Sequence, residues 1–256
     1  MPTVRTGPVI GLVAQVVLVA VLAGTVGLGV LGWLVGVGCG LATYAALTRG
    51  LYRSGVAGLG PADRVTLTRA TLVGGVAALT VDSFARPASV VMLVTLAAVA
   101  LVLDAVDGKV ARRTGTTSGF GARFDMEVDA FLILVLSAYA AGPVGGWVLA
   151  IGAMRYGHVA AGWMLPWLRG SLPPRYWRKV VAATQGVVLV FAAADVLPRP
   201  LLSAALAVSL SLLVESFGRD VGWLWYHRYG RPALPAAAVR TPATLVRAGS
   251  RSSTPE

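Results

Sequence analysis

Long apolar runs dominate this chain and leave it few ways to fold. A helix needs about 20 apolar residues to cross the hydrocarbon of a bilayer. The 256-residue sequence offers enough of them for eight crossings. Pro8 to Leu47 is long enough for two, broken near Gly24–Gly29. The others are Arg64–Phe84, Ala88–Asp107, Gly121–Ala141, Val144–Leu165, Val180–Val196 and Leu201–Val214. No long alternating pattern of the barrel kind is present, so the spans read as helices, which satisfy their own backbone hydrogen bonds in lipid. Charged residues make up 13% of the chain, about half of the roughly 25% that a soluble domain carries. The expected fold is an all-α integral membrane protein with about eight transmembrane helices.

Bases outnumber acids 22 to 11, for a net charge of +11. They do not cluster around aromatics on a soluble face, which argues against a nucleic-acid partner. They punctuate the apolar runs, so membrane lipids with anionic headgroups are the expected counter-charge. With the N-terminus inside, Arg5, then Arg49, Arg53 and Arg64, then Lys109, Arg112 and Arg113 fall on the cytoplasmic side. Arg169, Arg175, Arg178 and Lys179 follow, then Arg219, Arg228 and Arg231, leaving Arg86 and Arg199 opposite. This bias places both termini on the cytoplasmic side of a multi-pass protein.

The chain divides into 1–47, two leading helices retained rather than cleaved as a signal peptide, and 48–63, an interfacial linker or juxtamembrane helix. A six-helix unit over 64–216 comes next, then a basic, largely disordered cytoplasmic tail over 217–256. The tail is rich in Pro, Ala, Ser and Arg and has too little apolar surface to fold alone. Cys39 is the one cysteine, so neither a disulfide nor a cysteine metal site is available.

Of the 11 acids, Asp104, Asp107, Asp125, Glu127 and Asp129 crowd into one short stretch. An aspartate at the centre of a membrane helix costs roughly 2.5–3.5 kcal/mol on insertion scales, so several together require compensation. Spacings of three and four residues put Asp104 with Asp107, and Asp125 with Asp129, on one helix face each. A short turn at Thr114–Gly119 lets the two helices run antiparallel, so the pairs can converge. Converging carboxylates repel unless cations lie between them, and hard oxygen ligands suit Mg²⁺, Mn²⁺ or Ca²⁺. The competing reading is simple pairing with Lys109, Arg112, Arg113 and Arg123. Gly108, Ala111 and Gly121 leave room for close approach by a bulky ligand. Arg112 can grip phosphate oxygens with its fork, and Ser118 can cap the second helix or donate to phosphate. Together these residues describe a site for a nucleotide diphosphate.

The stretch reads Asp104-x-x-Asp107-Gly108-x-x-Ala111-Arg112, then eight residues, then Gly121-x-x-x-Asp125-x-x-x-Asp129. It resembles the signature of the class I CDP-alcohol phosphotransferases (CDP-alcohol phosphatidyltransferases), with every defining position filled. The resemblance covers the six spans from about Asp63 to Val214, a six-helix core preceded by two extra helices. It implies a phospholipid-synthesising enzyme of the cell membrane, with its active site on the cytoplasmic side. The reaction it implies is transfer of a phosphatidyl group from a CDP-linked lipid donor, CDP-diacylglycerol by preference, to a hydroxyl acceptor with release of CMP. Asp104, Asp107 and Asp125 look like ligands of one or two Mg²⁺ or Mn²⁺ ions. Asp129 looks like the catalytic base and a further metal contact. Gly108, Ala111, Arg112, Ser118 and Gly121 are similar to the CDP-alcohol-binding positions. Relatives are commonly homodimers.

Asp63-x-x-Thr66-x-x-Arg69 looks like the family's polar start to the first core helix, with Thr66 toward the cytidine. The alternative is an interfacial cap and an arginine snorkelling to the surface. For the acceptor side, Arg155 lies alone in an apolar span and suggests an anionic group such as an acceptor phosphate; its alternative is an ion pair with one of the aspartates. Arg178 and Lys179 are further acceptor candidates. Glycerol-phosphate-using relatives carry two lysines before a glutamine; here Lys179 fills one position before Gln185 and Val181 the other. Glycerol 3-phosphate, inositol phosphate or another polar alcohol therefore stand as acceptors. Glu127, between Asp125 and Asp129, points away from both by helical geometry. Two other classes use intramembrane acids. A prenyltransferase needs a second aspartate-rich motif, and a cation transporter predicts broken helices and repeats near the midplane.

Overall fold

The computed structural model describes residues 6–54, 58–114, 119–170, 172–173 and 176–227, without the side chains of 107–114. All regular structure among these residues is helical. Eight α-helices follow in order: α1 Thr6–Val26, α2 Val30–Ser54, α3 Pro61–Ser83, α4 Val90–Thr114, α5 Gly119–Val144, α6 Leu149–Met164, α7 Tyr176–Ala194 and α8 Arg199–His227. Six of them, α1, α2, α3, α5, α7 and α8, are long and apolar enough to cross a membrane. The apolar part of α4, Val90–Val106, is shorter. For α6, 16 residues rise about 24 Å. A 3₁₀ turn at Gly146–Val148 adds about 6 Å, which brings the sixth crossing to the thickness of the hydrocarbon. The expected all-α membrane architecture is the observed one.

Consecutive helices pack against each other in pairs, α1 on α2, α3 on α4, α5 on α6 and α7 on α8. Short connections make each pair antiparallel. α3 is the hub, packing on α1, α2, α4 and α5, and its small residues are the cause. A Cβ added to Gly74 would fall 2.6 Å from the Gln15 side chain, and one on Gly75 would fall 2.9 Å from Leu18. The core where the helices meet is built from Leu22, Val76, Leu79, Leu93, Leu132, Leu136, Leu189 and Leu206. In lipid, where apolar burial adds little between helices, such close contacts and polar bonds drive association. Gln185 supplies one such bond: its Nε2 donates to the Ser209 carbonyl at 2.8 Å, and the Ser209 hydroxyl donates back at 2.7 Å, joining α7 to α8.

The two leading helices are fastened to the core at the end of α3. Asp82 accepts from the Gly29 backbone N–H, just before α2, at 3.0 Å, and from Arg86 at 2.9 Å through both oxygens. Arg86, one of the two bases assigned opposite the others, is thus neutralised locally.

Two boundaries differ from expectation. Residues 48–54 do not form a separate interfacial helix; they continue α2 without a break to Ser54. The last span does not stop at Val214, and 217–227 do not belong to an unstructured tail, because α8 runs on to His227. Its polar extension is held by contacts that the sequence does not advertise. Arg219 pairs with Glu215 one turn back, Asp220 lies 3.3 Å from Arg178 of α7, and Trp225 meets Trp167 edge to face at 5.5 Å.

Candidate active site

Asp104 lies in the second half of α4, and Asp125 and Asp129 stand one turn apart near the start of α5. One carboxylate oxygen of each lies within 4.8 Å of the other two; the expected turn at Thr114–Gly119 falls mostly outside the described residues. At their centre sits Arg69 of α3. Its Nη1 is 3.0 Å from Asp104 and also pairs with Asp125, while its Nη2 pairs with Asp129. Its Nε donates to the Ala100 carbonyl at 3.2 Å. Arg69 is 0% exposed, whereas the three aspartates keep 35–41% of their side chains open. One guanidinium therefore holds the closed side of the cluster, and the carboxylates face an open one.

Neither the surface-seeking reading of Arg69 nor pairing of the aspartates with Arg123 describes this structure; pairing with Lys109, Arg112 or Arg113 lies outside the described side chains. Arg69 turns inward, and Arg123 makes no ion pair among the described residues. A planar donor with five N–H groups can serve three carboxylates and a carbonyl at once. A signal for it was present in the sequence: Arg69 is the lone base in the apolar part of α3, and converging aspartates demand a cation.

The other expected site residues divide into three groups. Asp63 does cap its helix, accepting from the Gly60 N–H at 2.9 Å. Thr66, one turn before the arginine, is buried and donates to the Ala62 carbonyl at 3.2 Å. Gly121 lies in the first turn of α5. Asp107, Gly108, Ala111 and Arg112 belong to the end of α4, where side chains lie outside the described set, and Ser118 lies outside the described residues altogether.

The two arginines among the acceptor candidates have other partners among the described residues. Arg155 pairs with Glu127, which lies about 200° around α5 from either aspartate by helical geometry. That geometry favours an ion pair between α5 and α6 over an acceptor contact. Arg178 donates to the Pro173 carbonyl and approaches Asp220, and Lys179 is exposed. His158 packs edge to face on Phe217 of α8, with ring centroids 5.4 Å apart.

Whether this arrangement suits a divalent ion can be judged from its donors. Three hard oxygens from separate carboxylates lie within 4.8 Å of one another, partly open to an incoming ligand. The cluster already accommodates positive charge in the form of Arg69. The donor set fits Mg²⁺, Mn²⁺ or Ca²⁺ and not a soft metal.

A bundle of apolar helices with a carboxylate cluster able to hold a divalent ion defines the class: a helical membrane protein with a candidate cation site. The family model of CDP-alcohol phosphatidyltransferases matches residues 60–214, and the chain belongs to that family. The match begins at the cap of α3 and ends within α8, so α1 and α2 lie outside it. No curated protein matches the chain, and no solved structure does. The protein is therefore an enzyme, a transferase of substituted phosphate groups, and the prenyltransferase and cation-transporter alternatives fall away.

Proposed function

We propose that this enzyme transfers a phosphatidyl group from CDP-diacylglycerol to a polar hydroxyl acceptor at the Asp104–Asp125–Asp129 cluster, releasing CMP. The observation that carries the reading is the convergence of those three carboxylates, within 4.8 Å of one another, inside the family-matched region. Asp104, Asp125 and Asp129, with Asp107 from the same stretch of α4, would hold one or two Mg²⁺ or Mn²⁺ ions. Bound there, a divalent ion supplies charge neutralisation for the diphosphate and its leaving group.

The chain's own residues do the rest. Asp129 takes the proton of the acceptor hydroxyl. The acceptor oxygen bonds to the phosphorus next to the lipid alcohol, the bond from that phosphorus to CMP breaks, and CMP departs with the electron pair. Arg69 keeps three carboxylates of α4 and α5 in mutual register while this happens. Gly108, Ala111 and Gly121 leave space for the nucleotide, Arg112 and Ser118 bind its phosphates, and Thr66 stands near the cytidine. The basic residues around the cluster support a location on the cytoplasmic face of the cell membrane.

The test is a CMP-release assay. Purified protein receives labelled CDP-diacylglycerol, Mg²⁺ or Mn²⁺, and in turn glycerol 3-phosphate, inositol phosphate and other polar alcohols. At least one acceptor is expected to support metal-dependent release that Asp129→Asn abolishes. Failure of every acceptor in the panel to support release, or an Asp129→Asn enzyme equal to wild type, overturns the reading.

A further inference from the structure

The opposite face of α5 lines a second feature, a cavity of about 640 Å³ between α2, α3, α5 and α6. That volume is within the usual range of ligand sites, roughly 300–1,000 Å³. Phe124, Glu127 and Phe131 line it from α5 at spacings of three and four residues, so they share one helix face. Asp125 and Asp129 lie on the other. Cys39 and Ala46 form part of the facing wall on α2, a helix outside the family-matched region. The cavity is therefore separate from the reaction site and is built with a helix that the family core does not supply.

Its chemistry changes along its length. The inner part is apolar, and Arg53 and Arg123 line the end nearest the α2 C-terminus and the α5 N-terminus. Both arginines are exposed, and neither makes an ion pair among the described residues. The acid on this wall, Glu127, is already neutralised by Arg155. The mouth thus carries two positive charges with no ion-pair partner among the described residues. From Cys39 to Arg53 the helical rise is about 21 Å, somewhat more than one leaflet of hydrocarbon, about 15 Å.

We propose that this groove binds one anionic glycerophospholipid, an acyl chain lying between α2 and α5 and the phosphate held by Arg53 and Arg123. Two arginines beside an anionic headgroup correspond to a preference of about thirtyfold over a zwitterionic lipid. The groove offers its apolar depth and its basic mouth in the order in which such a lipid presents its chain and its head. A free phosphate satisfies only the mouth.

The test uses the full chain in neutral detergent and reads bound lipid rather than catalysis, so it stands or falls apart from the transferase reading. Phosphatidylglycerol and phosphatidylcholine of identical chains are compared by native mass spectrometry. Alkylation of Cys39, the one cysteine of the chain, reports groove occupancy. Phosphatidylglycerol is expected to be retained about thirtyfold better and to slow alkylation severalfold, while inorganic phosphate alone leaves the rate unchanged. Arg53→Ala with Arg123→Ala should equalise the two lipids, and Ala46→Trp should exclude both. Ala42→Leu, a smaller obstruction on the same wall, repeats that arm should the tryptophan variant aggregate. The proposal is overturned by equal retention of the two lipids in wild type, by unchanged retention when the groove is filled, or by protection from phosphate alone. It is overturned equally if filling the groove dissociates a dimer and leaves lipid retention unchanged, which would make this face an interface between two copies.

Discussion

Replacing Arg69 with methionine removes one charge and leaves three carboxylates facing each other. At the 3.0 Å separation of Arg69 and Asp104, and an effective dielectric of ~20, one such contact is worth about 5 kcal/mol of Coulomb attraction. Desolvation of the fully buried guanidinium offsets much of that. The measured cost of deleting one partner of a buried ion cluster is about 3–5 kcal/mol, because the remaining charges stay uncompensated. In a chain of this size each kcal/mol moves the melting temperature by roughly 2–4 °C, so Arg69→Met should melt on the order of 10 °C lower in chelator. The divalent-ion response should go the other way. With the guanidinium gone, Mn²⁺ has no competitor for the carboxylates, and it should raise the melting temperature of the variant more than that of wild type. Intrinsic tryptophan fluorescence in detergent, at one scan rate with EDTA or Mn²⁺, reads both effects. Arg69→Lys retains the charge but not the fork, and should fall between. A methionine variant that melts like wild type in chelator, or that Mn²⁺ stabilises less than wild type, would refute the reasoning.

Asp129→Asn should lower CMP release by about 10²–10⁴-fold, the usual contribution of a general base, while the protein keeps its helical circular dichroism. Gly152→Val should destabilise the bundle by roughly 1–3 kcal/mol, since a Cβ there meets the Leu134 backbone across the α5–α6 contact; a melting temperature equal to wild type would show that the two helices do not approach as described. Gln185→Leu breaks the two bonds to Ser209 and should cost only about 1 kcal/mol, as polar contacts between membrane helices do, with turnover at moderate temperature unchanged.

The helices were legible because an apolar run long enough to span a bilayer has few other uses. What escaped was whatever depended on a partner far away in the chain. The last three turns of α8 contain Glu215, Arg219 and Asp220, which read as a polar exit from the membrane; their support comes from Arg178 and Trp167, on other elements. The 48–63 linker reads as a separate interfacial piece because glycines and arginines interrupt its hydrophobicity, yet nothing through Ser54 breaks a helix, and α2 continues to that residue. The acidic cluster was readable because its spacing is local to two helices and one turn. Its counter-ion was legible only as a demand for some cation: Arg69 is the lone base in the apolar part of α3, but it lies 56 residues from Asp125 and 60 from Asp129, and nothing local pairs them. The same holds for Arg155, whose partner Glu127 is 28 residues away.

That separation also bears on how the protein is made. Arg69 leaves the ribosome well before any of the aspartates that neutralise it, and α3 must meet the bilayer with a bare charge at a cost of roughly 2.5–3.5 kcal/mol. Asp104 arrives next and offsets that charge, and the two aspartates of α5 then complete the guanidinium's set of partners. The first stable insertion intermediate should therefore contain α3, α4 and the start of α5 together, and a nascent chain halted before Asp125 should be extracted from the membrane more readily than one halted after Asp129.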